Sequence, residues 1–424
     1  MRTLFVCALL LCFLTPVFAQ RECGTVNYLN KSSQHNPLIA EKQNQVDQLT
    51  AAFIKNITQV MEGNDTIKGV AESITIPVVV HILYNKNEEN ISDDQVFSQI
   101  EALNNDFRKL NNDIAKVPSV FASLATDCGI NFVLAKVDPD GRATTGINRK
   151  KTSRGTWLDD DKMKFSSSGG TEAWDTRQYL NIWVCNLAST ILGYATFPGG
   201  PENVDGVVIR WNVFGTRGKV WAPFDKGRTT THEVGHWLNL KHTWGDISCG
   251  DDDVHDTPKQ RSYNRGCPSF PKINAGCDNG SNGDMFMNFM DFTDDACMQM
   301  FTTGQKNRML ALFAQGNVRN SLLSSKALGE PWNNTDTPAV VNTENKQTLN
   351  VFPNPADGFI TISAGEGNDL SGKTIMIYSA TGRLLLSTVA SGNRPQINTS
   401  SLQAGIYFIR VSGSQKLPGR FIKK

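Results

Sequence analysis

The 424-residue chain has almost no net charge and, beyond its first residues, no long hydrophobic run. It carries 42 basic and 41 acidic residues, so its long-range electrostatic field is weak. A balanced surface of this kind gives no strong attraction to nucleic acid or to an anionic membrane. No stretch after residue 19 reaches the ~20 predominantly apolar residues that a transmembrane helix needs. The composition therefore predicts a globular protein with no transmembrane segment and no nucleic-acid partner.

The first 19 residues are the exception, because they have the pattern of a secretory signal peptide. Arg2 supplies the positive charge, residues 4–14 form the apolar segment, and Ala19 ends a small-residue cleavage site. This apolar segment is too short to span a bilayer stably. We expect residues 1–19 to be removed on export, so that the mature chain begins near Gln20.

Cysteine is sparse in the mature chain and its number is odd. Two of the nine cysteines lie in the signal, which leaves seven. Four of these cluster after residue 248, namely Cys249, Cys267, Cys277 and Cys297. In an oxidising compartment these four should form two disulfides, with three connectivities open from the sequence alone. Cys128 and Cys185 could form a third pair, which leaves Cys23 without a partner.

Histidine is also scarce, yet three of the six histidines lie within 11 residues, in the string THEVGHWLNLKHTW. If this string is helical, His232 and His236 lie one turn apart on the same face and both imidazoles can reach one ion. Glu233 can then contact a water on that ion without being a ligand itself. His242 lies too far along for the same face, so the chain must turn near Asn239.

Three neutral imidazoles and one water make the open coordination of catalytic zinc, whereas a structural site is closed by a fourth protein ligand. The alternative is that the three are surface histidines with no common partner. Bound zinc lowers the pKa of its water toward about 7. Glu233 would take the proton as general base and pass it to the leaving amine. The pattern predicts a zinc site on His232, His236 and His242.

The string HEVGHWLNLKH resembles the extended zinc signature of the metzincin metalloproteases, and in particular that of the pappalysin family. One position departs, because the family glycine is Asn239 here. Asparagine is the residue that next most readily adopts the left-handed backbone needed where the helix ends. The string NFMDF resembles the methionine turn of the family, with Met290 beneath the metal. The resemblance implies an α+β fold, in which a metzincin-like catalytic domain combines a mixed twisted sheet with the zinc helix.

A second departure is Phe292, two residues after the turn methionine. The family often has tyrosine there, and its hydroxyl assists the oxyanion. Loss of one oxyanion donor typically costs ~3 kcal/mol of transition-state stabilisation. Either another group stabilises the transition state or the rate is lower.

The same resemblance implies two disulfides, Cys249–Cys277 and Cys267–Cys297. It also implies a role for Cys23, because Cys-Gly near the start of the pro-segment resembles the cysteine switch of pappalysin zymogens. A thiolate in the fourth coordination position would displace the catalytic water. The alternative is that Cys23 enters an intermolecular or scrambled disulfide.

Two further sites are suggested for the segment after the zinc motif. The acidic loop DISCGDDDVHD suits an oxygen-liganded cation, and the resemblance favours structural calcium with Asp253, Asp256 and Thr257 as candidates. A solvated acidic loop is the alternative. Bacterial pappalysins resemble one another in cleaving before Arg or Lys, and Asp294 or Asp295 could line a pocket for such a side chain.

Residues 20–69 are polar and are expected to form a pro-segment that covers the cleft. Residues 70–325 are the expected catalytic domain, which opens on an apolar strand at 74–83. Within this strand Pro77 favours an edge position or a bulge, and His81 is interpreted as a structural histidine. Ser92 is the expected cap of the helix that follows.

The segment LGYATFP, residues 192–198, resembles a pappalysin segment near the rim of the cleft. An exposed edge strand at that position would pair antiparallel with the backbone of an extended peptide. Proteins or peptides are therefore the expected substrates.

Residues 326–346 are polar and are interpreted as a linker, and residues 347–424 contain short strands separated by turns, which predicts a small all-β sandwich domain. The strings NVFPNPADG, IYSATGRLL and LQAGIYFIRV closely resemble the C-terminal sorting domain of the type IX secretion system. This resemblance implies the type IX machinery as a partner and an extracellular or cell-surface location. The alternative is an adhesive or carbohydrate-binding module.

The sequence thus predicts a secreted zinc endopeptidase that is made as a zymogen and prefers to cleave extracellular proteins before Arg or Lys. Two alternatives belong to other classes. One is an exported zinc-binding adhesin, or inactive protease homologue, whose site has decayed. The other is a zinc hydrolase that acts on non-peptide bonds.

Overall fold

The structure is a computed structural model that describes residues 21–62, 73–188, 190–274, 276–277, 279–331, 349–364, 369–379, 383–412 and 419–424. The chain divides into two compact units, Met1–Asn334 and Thr335–Lys424. The expected signal peptide and most of the expected linker lie outside the described residues. Within the described residues, no helix is long and apolar enough to cross a membrane.

The first unit combines helices with a mixed six-stranded sheet. Its helices are α1 (Thr25–His35), α2 (Pro37–Glu62), α3 (Asp93–Phe107), α4 (Ser119–Ala122), α5 (Arg228–Trp237) and α6 (Thr303–Ala311). Its strands are β1 (Ile74–Tyr84), β2 (Ile130–Leu134), β3 (Ile147–Lys151), β4 (Leu180–Cys185), β5 (Gly193–Ala195) and β6 (Val207–Arg210). The sheet order is β2-β1-β4-β6-β5, with β3 also on β1. Only β5 runs antiparallel among these described strands, which confirms the expected mixed sheet.

Strand β1 is central in the sheet, so the edge position expected from Pro77 is wrong. β1 lies between β2 on one side and β4 on the other, and it is buried over nearly its whole length. Proline lacks the N–H that a central strand donates to its neighbours. Pro77 is tolerated because the pairing with β4 begins only at Val78, so Pro77 has just β2 beside it.

His81 of β1 is a fully buried residue that contacts only other parts of the sheet region. Its Nε2 lies 2.9 Å from the side-chain oxygen of Asn181, and its ring stacks on Trp183 at 5.3 Å. Burial lowers the pKa of His81 to about 4, so the ring is neutral. These contacts give it the structural role expected from the sequence.

Helix α3 fixes the start of helix α5 within the core. Ser92 caps α3 by accepting a hydrogen bond from the Gln95 backbone at 3.2 Å, as expected. Arg228, the first residue of α5, donates to Asp106 of α3 at 3.2 Å and to Asp113 at 2.7 Å. These groups are largely buried, and removal of one partner of such a pair leaves an uncompensated charge. The start of α5 is therefore held in one position.

Strand β5 is the free edge of the sheet, and the expected pro-segment lies along it. The backbone N–H of Gly24 donates to the carbonyl of Gly193 at 2.9 Å, and that of Leu192 donates to the carbonyl of Glu22 at 3.0 Å. Cys23 and Gly193 thus form a parallel β-bridge. The rim segment thus forms the edge strand β5, and residues 22–24 of the same chain pair along it.

The two helices that follow Cys23 contribute side chains to the core of the rest of the unit. Val46 of α2 is buried in the main cluster, where Phe53 packs against it. Tyr28 of α1 belongs to a second cluster with Trp183 and Tyr194. Both helices thus pack into clusters that are formed mainly by the rest of the unit.

Two disulfides join the loops that follow α5. The bonds are Cys249–Cys277 and Cys267–Cys297, the pairing that the family resemblance implies. The expected third bond between Cys128 and Cys185 is wrong, because both thiols are free and buried. Cys128 lies in the main core cluster and Cys185 in the cluster of Trp183, on different sides of the sheet region. Cys23 is also a free thiol.

The second unit is a small β domain with its own hydrophobic core. Its strands are β7 (Leu349–Asp357), β8 (Phe359–Ala364), β9 (Thr374–Ser379), β10 (Leu384–Val389), β11 (Gln396–Asn398), β12 (Gly405–Val411) and β13 (Gly419–Lys423). Their order is β10-β9-β12-β13-β7-β8-β11. Alternate residues such as Ile375, Ile377 and Ile409 face the core, which is the period-2 pattern expected of half-buried strands.

Candidate metal centre

The three histidines of the zinc motif converge on one point. His232 and His236 lie on the same face of α5, and the helix ends at Trp237. Asn239 then adopts a φ of 71°, a left-handed backbone that turns the chain and brings in His242. The Nε2 atom of His236 lies 3.2 Å from that of His232 and 3.1 Å from that of His242. All three side chains are buried.

The other ring nitrogen of each histidine is held by a different segment of the chain. Nδ1 of His232 lies 2.7 Å from the carbonyl oxygen of Phe289, and Nδ1 of His236 lies 2.7 Å from that of Leu240. Nδ1 of His242 lies 2.5 Å from a carboxylate oxygen of Asp246. An acceptor at Nδ1 places the ring proton there and leaves the lone pair on Nε2.

This donor set fits a metal ion. Burial and the neighbouring rings lower the pKa of His232 well below its ordinary value, and burial lowers that of His236 to about 3. The rings of His232 and His236 are therefore neutral, and with an acceptor at each Nδ1 the three Nε2 atoms face one another. Within the described residues, His232, His236, His242 and Cys23 are the group of His, Cys, Asp and Glu side chains that could hold a metal, with ligand atoms within 4.8 Å of one another.

Glu233 lies beside this centre in a buried position. Its Oε2 accepts a hydrogen bond from Thr25 Oγ1 at 2.8 Å and lies 3.5 Å from the Cys23 sulfur. Burial raises the pKa of Glu233 to about 7, which brings its proton exchange into the neutral range. Burial and the Glu233 carboxylate raise the pKa of the Cys23 thiol well above its ordinary value.

Met290 lies under α5, as expected for a methionine turn. A Cβ atom added to Gly235 would stand 2.5 Å from the Met290 sulfur, so the turn and the helix are in direct contact. Asn288 fixes the turn by accepting a hydrogen bond from the Met290 backbone at 2.9 Å. The adjacent Phe289 supplies the carbonyl that holds His232.

Phe292 forms an aromatic wall on one side of the centre, where it offers no hydroxyl. Its ring lies 4.9 Å from His242 and 4.8 Å from Trp244, and Trp244 stacks on His242 at 4.2 Å. Tyr263 packs on Phe292 at 5.2 Å. The sequence reasoning missed Trp244 and Tyr263, although Trp244 lies only two residues after His242.

The chain before α1 fills the cleft next to the centre. The Cys23 sulfur lies 3.5 Å from Nε2 of His236, and Arg21 forms a buried ion pair with Asp295. Arg21 also donates to the carbonyl of Thr293 at 3.2 Å. The sequence reasoning included Cys23 and Asp295 but missed Arg21 and Thr25, whose partners Asp295 and Glu233 lie more than 200 residues away.

The two acidic candidates for the specificity pocket differ in position. Asp295 is fully buried, and its second oxygen accepts from the backbone N–H groups of Lys226 at 2.8 Å and Arg228 at 3.2 Å. Asp294 is less buried, and burial raises its pKa from the ordinary value. Asp295 is therefore the carboxylate that holds a cation at the bottom of the cleft.

The three calcium candidates each have a protein partner. Asp253 pairs with Lys241 at 2.5 Å and with Arg308 at 3.5 Å. Asp256 accepts from Thr302 at 2.7 Å and Thr257 donates to Asp252 at 2.8 Å. These contacts do not bring the three candidates into one ligand set, and calcium stays a prediction.

Comparison with known proteins agrees with this site. Residues 166–314 match the sequence model of the family described as "Pregnancy-associated plasma protein-A". An extracellular metalloprotease of Pyricularia oryzae is 31% identical over 261 residues, which are 59% of this chain and 79% of the relative. The chain belongs to the pappalysin family. An extracellular metalloprotease of Arthroderma benhamiae is 29% identical over 77% of this chain and 96% of that protein.

Two solved pappalysin structures extend the comparison. Mature mirolysin of Tannerella forsythia, in complex with a cleaved peptide, is 53% identical, with a TM-score of 0.58, and covers 60% of this chain and 96% of its own. A promirolysin mutant of Tannerella forsythia is 46% identical, with a TM-score of 0.65, over 72% of this chain and 97% of its own. This pappalysin is therefore a secreted metalloendopeptidase that is made as a zymogen.

The C-terminal unit matches a separate family. Residues 350–424 match the sequence model described as "Secretion system C-terminal sorting domain". The pappalysin thus carries a type IX sorting tail and is exported, as the sequence predicted. Its substrates are peptides, and its catalytic site needs a metal.

Asn239, the departure from the family glycine, has a side chain that binds helix α2. Its oxygen accepts from Gln43 at 3.0 Å, and its amide donates to Asp47 at 3.1 Å and to Thr50 at 3.5 Å. Arg308 pairs with the same Asp47 at 2.5 Å. A glycine at residue 239 would keep the left-handed turn and lose all three contacts.

We predict that Asn239→Gly weakens the hold of α2 on the catalytic unit. Each neutral hydrogen bond contributes roughly 0.5–1.5 kcal/mol, so the affinity of the isolated pro-segment for the processed enzyme should fall about tenfold or more. The inhibition constant of a peptide spanning residues 20–69 measures this effect, and the zymogen should activate faster. Lys109→Gly is the matched control, because Lys109 also has a left-handed φ of 53° but no recorded contact with α2. An unchanged inhibition constant for Asn239→Gly would contradict the assignment.

Proposed function

We propose that this pappalysin is a zinc endopeptidase that uses His232, His236 and His242 as metal ligands and Glu233 as general base. The observation that carries the proposal is the convergence of three buried Nε2 atoms, 3.1 and 3.2 Å apart, beside one buried carboxylate. Three histidines without a fourth permanent ligand are typical of catalytic zinc. No contact in the described residues favours the adhesin or the non-peptide hydrolase.

The domain boundaries are part of the proposal. We assign residues 1–19 to the signal peptide, 20–69 to the pro-segment, 70–325 to the protease, 326–346 to the linker and 347–424 to the sorting domain. The likeness to solved structures supports the pro-segment, because it covers 60% of this chain for mature mirolysin and 72% for promirolysin. The difference is about 50 residues, the length assigned to the pro-segment.

The residues around the centre divide the chemistry between them. Zinc, when bound, supplies a Lewis acid that polarises the scissile carbonyl and lowers the pKa of water. The edge of β5 holds the peptide backbone, and Glu233 takes a proton from the attacking water and returns it to the leaving amine. Gly193 lies directly against Glu233, so a peptide bound along β5 lies next to the base.

We predict that Glu233→Ala abolishes peptide hydrolysis but leaves zinc bound. Loss of a general base typically costs ~10²–10⁴ in rate, whereas the three imidazole ligands are unchanged. Metal analysis of the processed variant should give one zinc per chain, and a peptide assay should give no measurable turnover. Glu202→Ala, at an exposed glutamate, is the control. Near-native hydrolysis by Glu233→Ala would show that another residue is the base.

We further propose that Cys23 is the latency switch. Its sulfur lies 3.5 Å from both His236 Nε2 and Glu233 Oε2, where the attacking water and the scissile carbonyl would otherwise be placed. A cation at the three imidazoles would favour the thiolate and add it as the fourth ligand. The parallel pairing of Cys23 with Gly193 supports this role, because the pro-segment then runs opposite to a substrate that pairs antiparallel.

We predict that Cys23→Ala makes the unprocessed chain active on a short peptide or speeds its activation severalfold. The thiol is the pro-segment atom nearest to His236 among the recorded contacts, so its removal opens one coordination position. Activity of the intact chain is read before any cut in the pro-segment is visible on a gel. Cys128→Ala is the control, because this buried free thiol lies in the core cluster away from the site. Equal latency of Cys23→Ala and the native zymogen would refute the switch.

The preference for Arg or Lys after the scissile bond is assigned to Asp295. Its carboxylate already holds the guanidinium of Arg21, and both side chains are almost completely buried. Arg21 precedes Cys23 in a segment that runs along β5, so its pocket lies beside the metal centre. A buried carboxylate without a cation is costly, which favours a basic substrate side chain once the pro-segment has left.

We predict that Asp295→Asn lowers kcat/KM for peptides with Arg after the bond by about 10- to 100-fold, the range of a charged hydrogen bond. The asparagine oxygen can still accept from Lys226 and Arg228, so the loop is preserved and the amide group faces the cation. The ratio of kcat/KM for Arg and Ala peptides should fall toward one. Asp294→Asn is the control and should keep the ratio. An unchanged ratio in Asp295→Asn would place the specificity elsewhere.

A further inference from the structure

Tyr28 of the pro-segment fills a recess on the outer side of β5. Its ring lies 5.1 Å from the ring of Tyr194, and the buried ammonium of Lys164 lies 5.5 Å from the ring centre. Its hydroxyl donates to Oδ2 of Asp161 at 2.6 Å. Only 6% of Tyr28 is exposed, which is unusual for a side chain from a segment that is removed. The recess therefore exists in the catalytic unit and is matched to a phenol.

The recess is held in shape by groups that do not belong to the pro-segment. Oδ1 of Asp161 accepts from Tyr194 at 3.0 Å and pairs with Lys164 at 2.7 Å. Lys164 also donates to the carbonyl of Val204 at 2.6 Å and is fully buried. These contacts stay when Tyr28 leaves, because all of their atoms lie in the catalytic unit. The Oδ2 atom of Asp161, however, loses the donor that Tyr28 supplied.

The direction of the pro-segment places this recess relative to the scissile bond. Glu22 and Gly24 pair with Leu192 and Gly193, and the hydroxyl of Thr25 accepts from Ala195 at 2.8 Å. Arg21 therefore lies before the metal centre and Tyr28 beyond it along β5. A substrate pairs antiparallel with β5, opposite to the direction of the pro-segment. If its basic residue lies where Arg21 lies, the residues that precede it therefore extend toward the Tyr28 recess.

The distance to the recess fits a nearby substrate residue. Two extended steps from Cys23 to Thr25 and three helical steps to Tyr28 span at most about 11 Å, because the chain changes from extended to helical at Thr25, and an extended peptide covers about 3.3 Å per residue. The recess is then reached by the second or third residue before the scissile bond.

We propose that the Tyr28 recess becomes a substrate subsite that takes a tyrosine side chain two or three residues before the scissile bond, with Asp161 as its specificity-determining residue. This inference rests on the proposed peptidase function and deepens it. A phenol supplies a ring for the contacts with Tyr194 and Lys164, and it supplies an O–H for the Asp161 oxygen that the pro-segment leaves behind. Phenylalanine supplies the ring but gives no donor to that partly buried oxygen.

The test uses enzyme activated from the full chain and peptides that share Arg after the bond. At the second and third positions before the bond the peptides carry Tyr, Phe or Ala. We expect Tyr to exceed Phe in kcat/KM by about tenfold at one of the two positions, the size of a hydrogen bond to a charged group. Equal values for Tyr and Phe at both positions in the native enzyme would overturn the proposal.

Two variants test whether Asp161 sets the preference for tyrosine over phenylalanine. In Asp161→Asn the ratio of Tyr to Phe should fall to about one. Asp159→Asn is the matched control, because Asp159 lies in the same loop and pairs only with Lys31 of α1 at 2.7 Å in the recorded contacts. The ratio should be kept in Asp159→Asn. A tenfold ratio that persists in Asp161→Asn would overturn the role of Asp161.

A binding measurement covers the case in which Asp161→Asn does not fold. A peptide spanning residues 20–36 and its Tyr28→Phe form are titrated against the native processed enzyme by calorimetry. We expect the Phe form to bind about tenfold more weakly, and equal affinity would count against the recess as a phenol site. Replacing Arg after the bond by Ala tests the proposed preference separately, so a failure of that preference and a failure of the tyrosine subsite give different results.

Discussion

The rest of the catalytic unit depends on the convergence of three imidazoles in a buried space. Their Nε2 lone pairs lie 3.1 and 3.2 Å apart, which is unfavourable unless a cation stands between them. Each ring is fixed through Nδ1 by a different segment: the carbonyl of Phe289 in the methionine turn, that of Leu240 after the helix, and the carboxylate of Asp246. A metal bound there would tie together helix, turn and loop, and the second contacts fix the orientation of the three rings.

The proposed latency depends on contacts between the segment before α1 and the residues of the same centre. The segment before α1 places a sulfur 3.5 Å from His236, a hydroxyl on Glu233 and a guanidinium on Asp295, so these three groups of the proposed site have partners within the chain. Helix α2 adds contacts to Asn239, remote from the cleft rim. A segment that pairs with these groups loses little free energy when it displaces water from them, which supports its proposed role in latency.

The parts that could be predicted from the sequence are those set by local spacing. The i, i+4 histidines, the Ser92 cap and the alternating strands of the C-terminal domain follow from helix and strand periods. The pairs that latency depends on join residues far apart, such as Arg21 with Asp295 and Asn239 with Asp47, and no local pattern marks them. Sequence reasoning was wrong for Pro77 because strand order decides whether its missing N–H matters. It was wrong for Cys128 and Cys185 because their side chains enter separate cores.

Gly193 connects peptide binding to the chemistry. A Cβ atom at this residue would stand 2.9 Å from Cγ of Glu233 and 3.0 Å from the carbonyl oxygen of Val208, so a side chain would push the edge strand away from the base. Its own carbonyl accepts the N–H of Gly24 and faces the position of a bound peptide. The backbone that would set the register of a peptide on β5 therefore touches Glu233, the proposed general base. A shift of one residue along β5 would carry the scissile carbonyl about 3.3 Å from Glu233, beyond the reach of direct proton transfer. The register of a peptide on β5 and the distance of its scissile carbonyl from Glu233 are therefore set together.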